Sequence, residues 1–146
     1  MIEGGCQCGA VRYRVSAADL KVYACHCREC QRQSGSAFAL SAPVRSADFA
    51  LTGDVGVWSR GTASGARTAC SFCAACGTRI HHQSSAAPEW LTLKPGTLDD
   101  TSGLFARAHI WTAHRQPWVI LDPAVEAFET QPADLPAWRR RFVEAG

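Results

Sequence analysis

Eight cysteines in 146 residues, gathered into short clusters, constrain this chain more than any other feature. The clusters are Cys6-Gln7-Cys8-Gly9, Cys25-His26-Cys27-Arg28-Glu29-Cys30 and Cys73-Ala74-Ala75-Cys76-Gly77, with Cys70 alone just before the last. Clustered cysteines serve as disulfides in an oxidising compartment, or as metal ligands and reactive thiols in a reducing one. Met1-Ile2-Glu3-Gly4-Gly5-Cys6 carries neither a basic n-region nor an apolar h-region. The expectation is an intracellular, cytoplasmic protein whose cysteines are reduced and bind metal.

The remaining composition narrows the class. A length of 146 residues suits one domain, expected to span residues 1–146, and allows a real hydrophobic core. Apolar residues make up 47% and charged residues 19%, an ordinary globular balance. The net charge of +2 lacks the basic footprint of a dedicated nucleic-acid binder, so no nucleic-acid partner is expected. No apolar run approaches the roughly 18–20 residues that span a bilayer, so no membrane partner is expected either.

The hydrophobic pattern is mainly β. Residues 10–15 alternate, with Val11, Tyr13 and Val15 on one face and Arg12 and Arg14 on the other. Residues 20–25, 37–44, 66–72, 78–83, 89–94 and 108–111 are further strand candidates, separated by turn clusters such as Gly53-Asp54 and Pro95-Gly96. Only the C-terminus looks helical: Asp134 caps a helix with Pro136 in its first turn and Trp138 and Phe142 at i, i+4. Arg139, Arg140 and Arg141 read as its wetter face.

Two cysteine pairs each end in Cys-Gly, which lets the backbone turn tightly with N–H groups aimed at a thiolate. Cys6, Cys8, Cys73 and Cys76 together supply the four sulfurs of a closed tetrahedral zinc shell. A redox Cys-x-x-Cys would instead sit at a helix N-terminus in a βαβ pattern, and residues 66–83 look like β structure.

The second cluster reads differently. Cys25 and Cys27 project to one side of an extended strand, and Cys30 swings in from the following turn. Three thiolates leave zinc one position short of four, the pattern of a reactive site. A thiol entering that position would be deprotonated by the metal. Arg28, Arg32, Ser34 and Ser36 lie beside the cluster and suit an anionic ligand, and residues 31–36 read as a polar loop. The alternative is a second closed site completed by His26, Cys70 or another side chain. His26 alternates away from Cys25 and Cys27. Cys70 either completes one of the sites or is simply buried, and burial is the favoured reading.

Several motifs now resemble a known family. Gly4-Gly5-Cys6-Gln7-Cys8-Gly9-Ala10-Val11-Arg12-Tyr13, Cys25-His26-Cys27-Arg28-Glu29-Cys30-Gln31-Arg32, Ser34-Gly35-Ser36-Ala37-Phe38 and Phe72-Cys73-Ala74-Ala75-Cys76-Gly77-Thr78 are similar to the glutathione-dependent formaldehyde-activating enzymes, a family that includes centromere protein V-like domains. A weaker stretch runs from His109-Ile110-Trp111 to Pro117-Trp118. The resemblance implies a β-tent fold of small antiparallel sheets joined by a structural zinc. It implies Cys6, Cys8, Cys73 and Cys76 as structural ligands, and Cys25, Cys27 and Cys30 as holders of a catalytic zinc, which a site of only three sulfurs is expected to bind weakly. It also implies a carbon–sulfur lyase-type reaction joining glutathione and formaldehyde. Arg28, Arg32 or Ser34 would orient the glutathione.

Two other readings stay open: a non-catalytic zinc module that binds protein or nucleic acid, and a zinc or thiol stress sensor. His81 and His82 read as strand histidines. His109 and Trp111 either share a cleft or pack in the core. Trp58, Trp90, Trp118 and Trp138 read as packing, and Asp99-Asp100 as a turn.

Overall fold

A computed structural model describes residues 1–145. In chain order the elements are β1 (Ile2–Gly5), β2 (Arg12–Val15), β3 (Tyr23–Cys25), α1 (Arg28–Ser34), β4 (Ala39–Arg45), β5 (Phe49–Thr52), β6 (Val55–Gly61), β7 (Arg67–Cys73), β8 (Arg79–Ser84), β9 (Trp90–Leu93), β10 (Ala108–Ile110), β11 (Glu126–Ala127) and α2 (Leu135–Glu144). The architecture is mainly β, as expected. No helix among the described residues is long and apolar enough to cross a membrane.

The elements fall into two compact units. The first comprises Met1–Leu20 and Pro43–Gly103. It contains an antiparallel sheet of order β1-β2-β5 and an antiparallel run of order β9-β8-β7-β6. The alternation read at residues 10–15 holds: Val11, Tyr13 and Val15 are buried, while Arg12 and Arg14 are exposed. The strand starts at Arg12 because the backbone of Val11 is engaged elsewhere. Its N–H donates to Cys6 Sγ at 3.2 Å, and its carbonyl accepts from Cys6 N at 3.0 Å. Ile80 and Leu93 are also fully buried here.

The second unit comprises Lys21–Ala42 and the chain from Leu104 onward. Here the strand order is β11-β10-β3-β4. β3 and β4 pair antiparallel, but β10 runs parallel to both β3 and β11. This corrects the expectation of purely antiparallel sheets. More than eighty residues separate His109 from its partner Ala24, so no hairpin dictates the direction of that pair.

Helix α2 closes the second unit as its sequence predicts. Asp134 Oδ1 accepts from Ala137 N at 3.0 Å, and Pro136 lies in the first turn. Trp138 and Phe142 stack at 4.7 Å and form a core with Ala108, Tyr23 and Phe128.

The other helix is a correction. Residues 28–34 form α1 where a polar loop was expected from residue 31 onward. Arg-Glu-Cys-Gln-Arg-Gln is rich in good helix formers. Cys27 caps the start, its sulfur accepting from Cys30 N at 3.4 Å. Gly35 caps the end in the left-handed region, with φ of 62°. Cysteine is not among the usual N-cap residues, so the start signal is hidden in the sequence. Gly35 was the readable signal.

Candidate metal centres and an adjoining groove

Four sulfurs converge in the first unit. Cys6, Cys8, Cys73 and Cys76 have their Sγ atoms within 4.8 Å of one another. Cys6 and Cys8 are 3.6 Å apart, and Cys8 and Cys73 are 3.8 Å apart. Zinc–sulfur bonds of about 2.3 Å in a tetrahedron place sulfurs about 3.8 Å apart, so this shell fits zinc.

Two tight turns build the shell. Gly9 and Gly77 adopt φ of 83° and 80°, and an added Cβ at either would meet open space. The turns therefore require the left-handed backbone rather than room. They aim N–H groups at sulfur: Val11 N reaches Cys6, and Cys76 N reaches Cys73 at 3.4 Å. The Val11 N–H pulls the Cys6 thiol pKa down. The Thr78 hydroxyl, 3.2 Å from Cys76, is the main cause that pulls that thiol down to about 5. Both effects favour the thiolate, the form that binds metal.

The second unit holds a trio. Cys25, Cys27 and Cys30 also have Sγ atoms within 4.8 Å of one another. They come from the end of β3, the cap of α1 and the first turn of α1. The convergence is thus a strand-to-helix junction, not a continuous strand. Hydrogen bonds from Cys25 and Cys30 hold the Cys27 thiol well below its ordinary value. The Cys25 thiol is pushed far up, chiefly because it shares its proton with Cys27. Three soft sulfur donors gathered this closely suit a soft or borderline divalent cation such as zinc. Among the described residues, no fourth histidine, cysteine or carboxylate completes it.

His26 does turn away from the trio. It is fully buried, and its Nε2 lies 2.9 Å from Nδ1 of His109. Burial, then the His109 and Arg115 charges, lowers its pKa to about 4. His109 therefore meets His26 rather than Trp111. Trp111 has φ of 58°, follows the end of β10 at Ile110, and packs edge-on against His114. Cys70 is 3% exposed on β7 and belongs to neither sulfur group. His81 and His82 lie on β8, outside both groups. Asp99 pairs with Arg12, and Asp100 accepts from Ser102, as in a turn.

An open groove of about 450 Å³ lies along α1, lined by Arg28, Gln31, Arg32, Ser36, Gln116 and Trp118 among others. Arg28 and Arg32 are where a polar ligand would meet them. Ser34 is not among the lining residues. Its hydroxyl donates to the Cys30 carbonyl at 2.7 Å at the end of the helix, so it is engaged by backbone. Ser36 lines the groove instead. Sequence reading placed Gln31 in a polar segment but singled out neither Gln116 nor Trp118 as groove residues; Trp118, read as packing, is exposed and lines the groove. The turn after His114 brings residues 116 and 118 to α1, and only that long-range folding reveals them.

Comparison with known proteins bears on both centres. The sequence model described as glutathione-dependent formaldehyde-activating enzyme matches residues 1–114, which include all seven clustered cysteines. The chain belongs to the glutathione-dependent formaldehyde-activating enzyme family. A solved crystal structure of a Rhodobacter sphaeroides protein is also similar, with 23% identity, 87% of this chain and 99% of that chain covered, and a TM-score of 0.57. That likeness is one of fold. The family match ends two residues before Gln116, so one wall of the groove lies beyond it.

Proposed function

We propose that this family member is a zinc-dependent, carbon–sulfur lyase-type enzyme that forms S-(hydroxymethyl)glutathione from glutathione and formaldehyde. One observation carries the reading: three sulfurs converge in the second unit with no fourth protein donor among the described residues. In this reading Cys6, Cys8, Cys73 and Cys76 hold a structural zinc, and Cys25, Cys27 and Cys30 hold the second. The two units act as one β-tent domain, as the family match spanning both of them suggests. The location is cytoplasmic, where glutathione is abundant and thiols stay reduced.

Zinc, when bound by the trio, supplies a site that lowers the pKa of an incoming thiol towards neutrality. Arg28 and Arg32 pair with carboxylates of the substrate and orient its sulfur. Ser34 assists only indirectly, by holding the last turn of α1 through the Cys30 carbonyl. The reaction balances simply. The glutathione sulfur forms the carbon–sulfur bond, the carbonyl π pair of formaldehyde becomes the hydroxyl oxygen's, and the thiol proton ends on that oxygen through solvent.

The test is exchange NMR on a glutathione–formaldehyde mixture, with the uncatalysed rate subtracted. Acceleration that vanishes in Cys27→Ser, with zinc still in the four-sulfur shell, is the expected result. Acceleration unchanged in both Cys27→Ser and Cys30→Ser would overturn the reading. Reversible thiol oxidation with metal release, in a protein that gives no acceleration, would favour a stress sensor instead.

A further inference from the structure

The groove along α1 has a wall that the thiolate chemistry does not use. Arg28 and Arg32 contribute guanidinium groups, and no carboxylate lines the groove. Gln116 and Trp118 come from the chain beyond the family match. Trp118 is 69% exposed, a large ring left in water.

That ring is held in place. Trp118 Nε1 donates to Gln116 Oε1 at 2.6 Å, and Gln116 Nε2 donates to Gln31 Oε1 at 3.3 Å. Arg28 donates to the same Gln31 oxygen at 2.6 Å. Gln31 is 5% exposed, and its amide hydrogens go to the carbonyls of His26 at 2.8 Å and His114 at 3.0 Å. Gln31 thus has all its hydrogen-bonding capacity in use. The only polar atom of the indole is taken up by Gln116, which leaves the apolar faces of this exposed ring for contact. A ring and a guanidinium held ahead of binding lose little freedom when a ligand arrives.

We propose that Trp118, held by Gln116 and Gln31, is the specificity-determining wall of a groove for a carboxylate-bearing peptide thiol. Arg28 and Arg32 pair with the carboxylates, and a peptide group lies on the indole. The proposal rests on the thiol-binding reading above and adds the feature that separates a peptide thiol from a small one. Gln31 is a positioning residue. It follows Cys30 directly and holds the carbonyl of His26, which lies between Cys25 and Cys27.

S-methylglutathione separates this proposal from the reaction, because its sulfur carries no proton and cannot form the adduct. Isothermal titration of the full-length, zinc-loaded protein should show it binding. Its diethyl ester should bind about tenfold more weakly, as expected when charge-assisted pairs are removed. Trp118→Ala should weaken S-methylglutathione by about tenfold, and Trp118→Phe should restore most of that loss. Zinc content and thermal unfolding of the variants establish that they fold. Equal affinity in wild type and Trp118→Ala overturns the proposal, as does no binding by wild type. Trp118-dependent binding without adduct acceleration would keep the groove and remove the reaction. Cys27-dependent acceleration with an unchanged KM for glutathione in Trp118→Ala would keep the reaction and remove the groove.

Discussion

Cys27 has two roles, since it caps α1 and belongs to the sulfur trio. Serine is a better helix cap than cysteine, so Cys27→Ser should keep α1 while removing one sulfur donor. The expected outcome is unchanged circular dichroism, with bound zinc falling from two equivalents to one. Cys76→Ser should behave differently. Cys76 is exposed, so little packing is lost, but the shell it completes joins residues 65 apart in sequence. Thermal unfolding should register a loss of several kcal/mol, because structural zinc contributes folding energy directly. His82 gives a pH signature. Burial, then the Lys94, Arg60 and Arg79 charges, holds its pKa well below the usual histidine value. Above the unfolded pKa of about 6.5, neither state carries the proton and stability is unaffected. As pH falls below that value, the unfolded state gains a proton that the folded state refuses, and stability drops by up to about 1.4 kcal/mol per pH unit. Denaturant melts from pH 7.5 to 5.5 should show a shallower fall in His82→Gln than in wild type. Parallel curves would remove His82 from the account.

Among the structural elements, the turns decide how much a glycine matters. Gly53 links β5 to β6 with φ of 100°, and a Cβ there would collide with the Ala10 carbonyl oxygen. Gly35 ends α1 with φ of 62°, but a Cβ there would meet nothing within 4 Å. Gly35→Ala should therefore cost only the left-handed backbone penalty, about 1 kcal/mol. Gly53→Ala adds a backbone collision and should cost clearly more, by about 2 kcal/mol or beyond. Chemical denaturation of the two variants checks the order, and equal losses would show that the Ala10 backbone yields. Sequence reading caught the strands whose alternation is strong, such as β2. It missed β1, β5, β6 and the two-residue β11. Gly4 and Gly5 dilute the first, and the exposed Val57 and Trp58 break any apolar rhythm in the third.

For the whole molecule, the two sulfur groups predict two kinds of metal loss. On the proposed reading, four thiolates would close around the first metal, whereas the trio would leave a position open to solvent or ligand. A strong chelator should remove the trio's zinc first, with the far-ultraviolet circular dichroism intact. The second equivalent should leave with the loss of β structure in the first unit. Release of both metals in a single step, together with unfolding, would contradict the separate roles.

Much of the site is local, and the sequence by itself determined that part. Ligand spacing within Cys6–Cys8, Cys25–Cys30 and Cys73–Cys76 is set by a few residues of backbone, and glycine after a ligand announces its turn. The mainly β pattern and the cap of α2 are short-range in the same sense. Other features needed the chain to close on itself. The parallel pairing of β10 with β3 joins residues far apart in sequence, and no local propensity encodes its direction. Cys70 and Cys73 are both buried on β7, and only the tertiary structure places one in a sulfur group and the other outside both. The pairing of Gln116 and Trp118 with α1 depends on how the chain turns after His114. Such contacts cost loop entropy and are recovered only when the whole unit packs, so they are written in the tertiary structure alone.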